Sequence, residues 1–340
     1  MKAIQIVKPG KLEIIDIPIP QIDEKNNVLI RMTATGICGS DVGIYNGKNA
    51  AATYPRIIGH EMIGKVEKIG DNVKNLKIGD RVIINQVVSC GNCYPCSIGQ
   101  GNVCDNLAVR GVHIDGGYRE FIAVPEEDCY LLPDSISDID AVMIEPTTIS
   151  IQACSRSELK KSDILLIMGY GALGSTILKI AKDLCDNIIV ADISDEKLKD
   201  AKTKGAKYTI NILKENFLEK IREYTNGRGT TVSIDSACTK DSLFQLLKAT
   251  GNAGRVITMG FSTDPTEVNQ FLITSKQLNI LGSRLQNKMF SKAIELIEQG
   301  KLDLNNSVSH TFTLLEAQKA FDFINSKDQN IRKVVLTFDF

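Results

Sequence analysis

The chain has 340 residues, 43% of them hydrophobic and 24% charged, with 40 Lys plus Arg against 41 Asp plus Glu. That length suggests about two domains and a core that needs no disulfide staples, and the composition lies far from the disordered range. The balanced charge supplies no bulk field for nucleic acid or an anionic membrane, so neither is an expected partner. No apolar run approaches the about 18 residues of a membrane span. The opening MKAIQIVKPGKLEI has no leader-like apolar stretch, and a cytoplasmic location is expected. Nine cysteines, an odd number, argue against a disulfide framework and for metal ligation or catalysis.

In chain order, the first third reads as short strands broken by turns. Residues 28–35, VLIRMTAT, alternate with the period of two expected of a half-buried strand, and similar runs occur at 65–69, 81–88 and 121–124. After Glu145-Pro146 the texture changes. The apolar run 164–168 is followed by a segment whose Leu173, Ile177, Ile180, Ala181 and Leu184 share one helical face, and then by the run 188–191, which together make a βαβ unit. Further strands are expected at 208–211, 232–235, 255–259 and 278–281, alternating with helices, so a doubly wound parallel sheet is the economical reading. The tail predicts two amphipathic helices and a last strand at 333–338.

Four cysteines cluster in VSCGNCYPCSIGQGNVCDN, residues 88–106, where Cys90, Cys93, Cys96 and Cys104 are separated by two, two and seven residues. Two-residue turns let neighbouring sulfurs reach one Zn²⁺, and four thiolates close its tetrahedron, so this lobe is expected to hold a structural ion. A second constellation is more dispersed: Cys38 in TGICGSD, His60 and Glu61 in IIGHEMIG, and Glu145 in MIEPTT. A thiolate, an imidazole and a carboxylate are the mixed set that an open, catalytic zinc requires.

The turn GYGALG places Gly169, Gly171 and Gly174, with Ala172 and Leu173 between them, directly after the strand 164–168 and before the helix. Strand, glycine turn and helix in that order form a dinucleotide site in which the pyrophosphate rests on the helix N-terminus. Asp192 ends the next strand, where a carboxylate accepts from ribose hydroxyls and repels a 2′-phosphate, so NAD is expected over NADP.

GHEMIGKVEKIGDNV at residues 59–73, CGSD upstream, GDRV at 79–82 and the four-cysteine lobe together resemble the zinc-dependent medium-chain alcohol and polyol dehydrogenases over essentially the whole chain. The resemblance implies a β-rich GroES-like catalytic domain, residues 1–147 and 285–340, and a Rossmann NAD domain, residues 148–284. It implies two Zn²⁺ per chain, the catalytic one on Cys38, His60 and Glu145. A glutamate as third ligand resembles the sorbitol-dehydrogenase branch. Glu61 matches an alternative ligand, Asp41 the carboxylate orienting the histidine, Ser40 the hydroxyl that takes the substrate proton, and Lys197 a lysine that reaches the cofactor ribose. Gly43 departs from the family's histidine, so the proton must continue through ribose and water.

The two sites fit reversible oxidation of a secondary alcohol. RGVHIDGGYREF at 110–121 and GSRL at 282–285 resemble the branch acting on sugar acids such as L-galactonate and L-gulonate, and Arg284, Arg119 and Arg110, in that order, are the candidates for the substrate carboxylate. The alternatives are a polyol, 2,3-diol or L-threonine dehydrogenase, and, from another class, a non-catalytic nucleotide-binding relative with structural zinc only. Relatives of this kind imply a homodimer or homotetramer.

Overall fold

The computed structural model describes residues 1–25, 27–261, 264–326 and 331–338. They form two compact units, Met1–Glu145 with Phe290–Phe340, and Pro146–Met289.

In the first unit the alternating strand Val28–Ile37 buries Val28, Ile30, Met32 and Ala34 and is the centre of the largest sheet. Glu61–Ile69 pairs antiparallel along one edge, while Phe121–Val124 and Val334–Thr337 divide the other. The register aligns Gly36 with Glu61 and Ile37 with Val334. Residues 36–38, 60–61 and 333 therefore collect at one end of three adjacent strands.

The expected strand 81–88 is interrupted. Asn85 Nδ2 donates to the Val87 carbonyl and Asn85 Oδ1 accepts from Val87 N–H, both at 3.0 Å, so the side chain replaces the ladder bonds and divides the run into Arg81–Ile84 and Val87–Val88. A hairpin of Lys2–Lys8 with Lys11–Asp16, and the strand His310–Thr313, add to the expected set. The tail supplies the helices Phe290–Glu298 and Ala317–Asn325 before Val334–Thr337.

The second unit is a six-stranded sheet in the order Tyr208–Asn211, Asn187–Asp192, Ile164–Met168, Thr230–Asp235, Thr250–Thr258, Asn279–Gly282, parallel throughout. The strand order reverses between Ile164–Met168 and Thr230–Asp235, which is the switch point where such sheets bind ligands beyond their C-terminal ends. Helix Ala172–Ala181 buries Ile177 and Ala181 as its periodicity predicts; Leu184 lies beyond its end and is exposed. Cys154 and Cys185 are buried and Cys129 and Cys238 half-buried, the positions of small apolar side chains rather than ligands. Among the described residues no helix is long and apolar enough to cross a membrane.

Below the sheet, Arg255 clamps Asp163 with Nη2 at 2.7 Å from both carboxylate oxygens and donates through Nη1 to the carbonyls of Ser157 and Glu158. Burial opposes the charge on Asp163, but the Thr231 hydroxyl, the Lys160 N–H and Arg255 outweigh it and hold the carboxyl below the ordinary aspartate range. The pair's contribution is therefore complete above that range and is lost as pH falls through the depressed value. Asp163→Asn strands the guanidinium and is expected to cost about 3 kcal/mol in denaturant unfolding at neutral pH, with the difference from the parent shrinking in acid.

Candidate active site

The metal-directed residues are positioned by the strand ends. Cys38 precedes helix Gly39–Tyr45, and Asp41 in its first turn reaches back so that Oδ2 accepts from the Cys38 N–H at 2.8 Å. The other oxygen of Asp41 lies 3.4 Å from His60 Nδ1. Tyr118, fully buried, donates its hydroxyl to Asp41 Oδ2 at 3.4 Å. Asp41 thus holds the backbone of one candidate ligand and faces the ring of another without a hydrogen bond to it, and Tyr118 donates to Asp41. Ser40 is half-buried in the same helical turn.

Ligand atoms of Cys38, His60 and Glu61 lie within 4.8 Å of one another. Glu145 is not part of that converged set; it is buried as the second residue of helix Ile144–Ser157, and Gln86, aimed inward by the Asn85 turn, donates Nε2 to its Oε1. Glu61 accepts from Lys333 Nζ on Oε1, whereas its Oε2 is buried without a hydrogen-bond partner. Burial opposes charge on His60, but Asp41 and then Cys38 raise its pKa well above the usual value. Burial pushes the Glu145 carboxyl up to about 7, drawn back by His60 and pushed further by Glu61. Buried acids and a thiol in excess of the cations facing them, with an orphaned carboxylate oxygen among them, form a donor set that a divalent cation completes.

The four-cysteine lobe fits a closed ion as well. All four Sγ atoms lie within 4.8 Å of one another, with Cys104 Sγ 3.4 Å from that of Cys90 and 3.7 Å from that of Cys93. Tetrahedral Zn–S bonds place sulfurs about 3.8 Å apart. Backbone N–H groups of Cys90 and Asn106 donate to Cys104 Sγ at 3.2 and 3.3 Å, as a thiolate ligand requires. The Asn92 N–H and the Cys104 thiol pull Cys90 down to about 6.

In the second unit, a Cβ at Gly174 would overlap the Gly169 carbonyl and meet Ser236 Oγ at 2.9 Å, whereas one at Gly171 would meet nothing. Gly174 serves helix packing; Gly171 leaves open the cradle at the helix N-terminus that a pyrophosphate would fill. Asp192 is buried and accepts from Tyr170 N–H at 2.6 Å and Ser194 N–H at 2.9 Å. A carboxylate has about four acceptor positions, so two remain for ribose hydroxyls. Lys197 is exposed in the first turn of helix Asp195–Thr203.

The arginine candidates separate. Arg110 does not serve as a free carboxylate receptor: it is buried, with Nη2 on Asp128 at 2.8 Å and Nη1 on the Asn85 carbonyl at 2.9 Å. Arg119 is half-buried with Nε lacking a hydrogen-bond partner, and burial lowers its pKa against the pull of Asp115. Arg284 is exposed in the second unit. His113 accepts from the Val109 N–H, a loop-bracing role. Lys333, Gln86, Tyr118 and Gly36 are the residues that sequence reasoning missed.

Residues 24–134 match the alcohol dehydrogenase GroES-like domain and residues 172–299 the zinc-binding dehydrogenase domain. The chain is 40% identical to the starvation-sensing protein RspB of Escherichia coli K12 over 99% of both chains, and 32% identical to sorbitol dehydrogenase of Bacillus subtilis over 95% of this chain and 93% of that one. A crystal structure of the RspB alcohol dehydrogenase from Escherichia coli CFT073, complexed with the cofactor NADH, superposes with a TM-score of 0.93 at 39% identity, covering 99% of each chain. The expected pairing of a GroES-like domain with a Rossmann domain is what the fold contains. Zinc-type motifs, the parallel sheet with its glycine turn and full-length similarity to these dehydrogenases agree, and the chain belongs to the zinc-type medium-chain alcohol dehydrogenase family.

Proposed function

We propose that this protein reversibly transfers a hydride between a secondary alcohol and NAD, and that its substrate is a sugar acid such as L-galactonate or L-gulonate. The convergence of Cys38, His60 and Glu61 supports the chemistry, because three mixed donors leave a fourth position for a substrate hydroxyl. Cys38 and His60 would hold the catalytic zinc together with a carboxylate, Glu145 or Glu61, while Cys90, Cys93, Cys96 and Cys104 hold the structural one. When bound, zinc supplies Lewis acidity toward the hydroxyl oxygen and NAD supplies the hydride acceptor.

The chain's own groups do the rest. Asp41, 3.4 Å from Nδ1, would orient the His60 ring and leave Nε2 as ligand. Ser40 would receive the hydroxyl proton, and with Gly43 in place of a histidine no side chain at that position would carry it further. The turn of Gly169, Gly171, Ala172, Leu173 and Gly174 would seat the pyrophosphate at the open Gly171, with Gly174 packing the helix close, and Asp192 with Lys197 would hold the adenosine ribose.

The sugar-acid assignment draws on Arg119, whose Nε is buried and unpartnered, and on Arg284, both suited to a carboxylate. The similarity to sorbitol dehydrogenase favours an uncharged polyol as the second reading. NAD⁺ reduction measured across aldonates and their alditols separates the two. Aldonates are expected to be oxidised with kcat/KM at least about tenfold higher, the discrimination that one charged hydrogen-bonded contact supplies. Equal or faster turnover of alditols would refute the sugar-acid assignment.

A further inference from the structure

One end of the large sheet carries an arrangement that the zinc motif does not require. Lys333 is 6% exposed, and the ammonium donates to Glu61 Oε1. The lysine comes from the other end of the chain, 272 residues away, and is delivered beside Cys38 because Val334 pairs with Ile37. Its backbone is pinned as well, the carbonyl accepting from Ser309 N–H at 2.9 Å and Ser309 Oγ at 3.0 Å.

Gly36 makes the room. A Cβ there would overlap Glu61 Oε2 and lie 2.9 Å from Lys333 Cε. The pair therefore occupies the volume a side chain would take on the central strand. Glu61, fully buried, is thus held through Oε1 while Oε2 has no hydrogen-bond partner, and its carboxylate belongs to the converged set with Cys38 and His60.

We infer that Lys333 is a positioning residue that restrains Glu61: by holding Oε1 it limits this carboxylate to at most one oxygen toward the metal and so preserves the open coordination position. The inference rests on the zinc reading above. Two physical effects act in the same direction. A carboxylate engaged by an ammonium is a weaker ligand than a free one, and a buried positive charge beside the site repels a divalent cation. Lys333 thus trades metal affinity for an accessible position. A lysine that merely braced the strand would have the opposite signature, since its loss would loosen the ligands and release metal faster.

The test compares the zinc-loaded parent with Lys333→Met, which keeps the stem and removes the charge, and Lys333→Arg, which restores it. Zinc per chain is measured first. A parent with only one zinc, retained by the four cysteines, refutes the catalytic-zinc reading itself. Given two, release of the second zinc to a chelator is followed, together with the visible absorption of the cobalt-substituted site. Lys333→Met is expected to release the second ion at least about tenfold more slowly. It should also show a cobalt spectrum changed toward higher coordination, and Lys333→Arg should restore both. Unchanged or faster release from folded Lys333→Met, with the four-cysteine zinc intact, overturns the inference and leaves the zinc reading standing. Should Lys333→Met not fold, Lys333→Gln read against the same two signals decides.

Discussion

Cys38→Ser and His60→Ala are each expected to reduce kcat/KM by more than about 100-fold while leaving NADH binding intact and one zinc per chain in place. Cys38 and His60 belong to Met1–Glu145 with Phe290–Phe340, whereas the glycine turn and Asp192 belong to Pro146–Met289, so cofactor affinity need not follow the loss of a ligand. The surviving ion should be the one in the four-cysteine lobe, whose sulfurs are self-contained within residues 90–104. Metal analysis and NADH fluorescence titration check the two halves independently. Full activity in either variant refutes the open site, and loss of both zincs would mean that the two metals stabilise one cooperative unit. A non-catalytic nucleotide binder would hold one zinc in the parent and in both variants alike.

The candidate ligands were readable because the chemistry sits in short segments. Cys90 to Cys104 lie in one short segment, and the glycine turn lies between a strand and a helix that announce themselves by period. What the sequence hid lies in long-range pairings. Lys333 reaches Glu61 across 272 residues and Gln86 reaches Glu145 across 59, and neither residue type in its own segment suggests a partner. Arg110 misled for the same reason. In a glycine-rich loop it reads as available, but Asp128 and the Asn85 carbonyl, 18 and 25 residues away, already take its donors. Gly36 was silent because the volume it leaves is visible only once the neighbouring strand carries Glu61 alongside it.

Asp192→Asn is expected to weaken NAD binding about tenfold and to bring NADP binding close to it. The structure determines which substitution tests the idea. Asp192 accepts from the N–H groups of Tyr170 and Ser194, so an alanine or glycine there would orphan two donors beside the glycine turn and damage the site for either cofactor. Asparagine removes the charge and keeps one oxygen as acceptor, so it orphans only one of the two N–H groups, which sit on different oxygens. The loss for NAD follows from exchanging a charged acceptor for a neutral one on the ribose hydroxyls, worth about 1.4 kcal/mol. The gain for NADP follows from removing a buried carboxylate that a 2′-phosphate would have to face, a repulsion screened little by salt at a side chain only 8% exposed. Dissociation constants of the purified variant for NADH and NADPH give both numbers. If NADPH affinity does not rise while NADH affinity falls, selection against the phosphate lies with another group, and the exposed acids Asp195 and Glu196 in the first turn of the next helix become the next place to look.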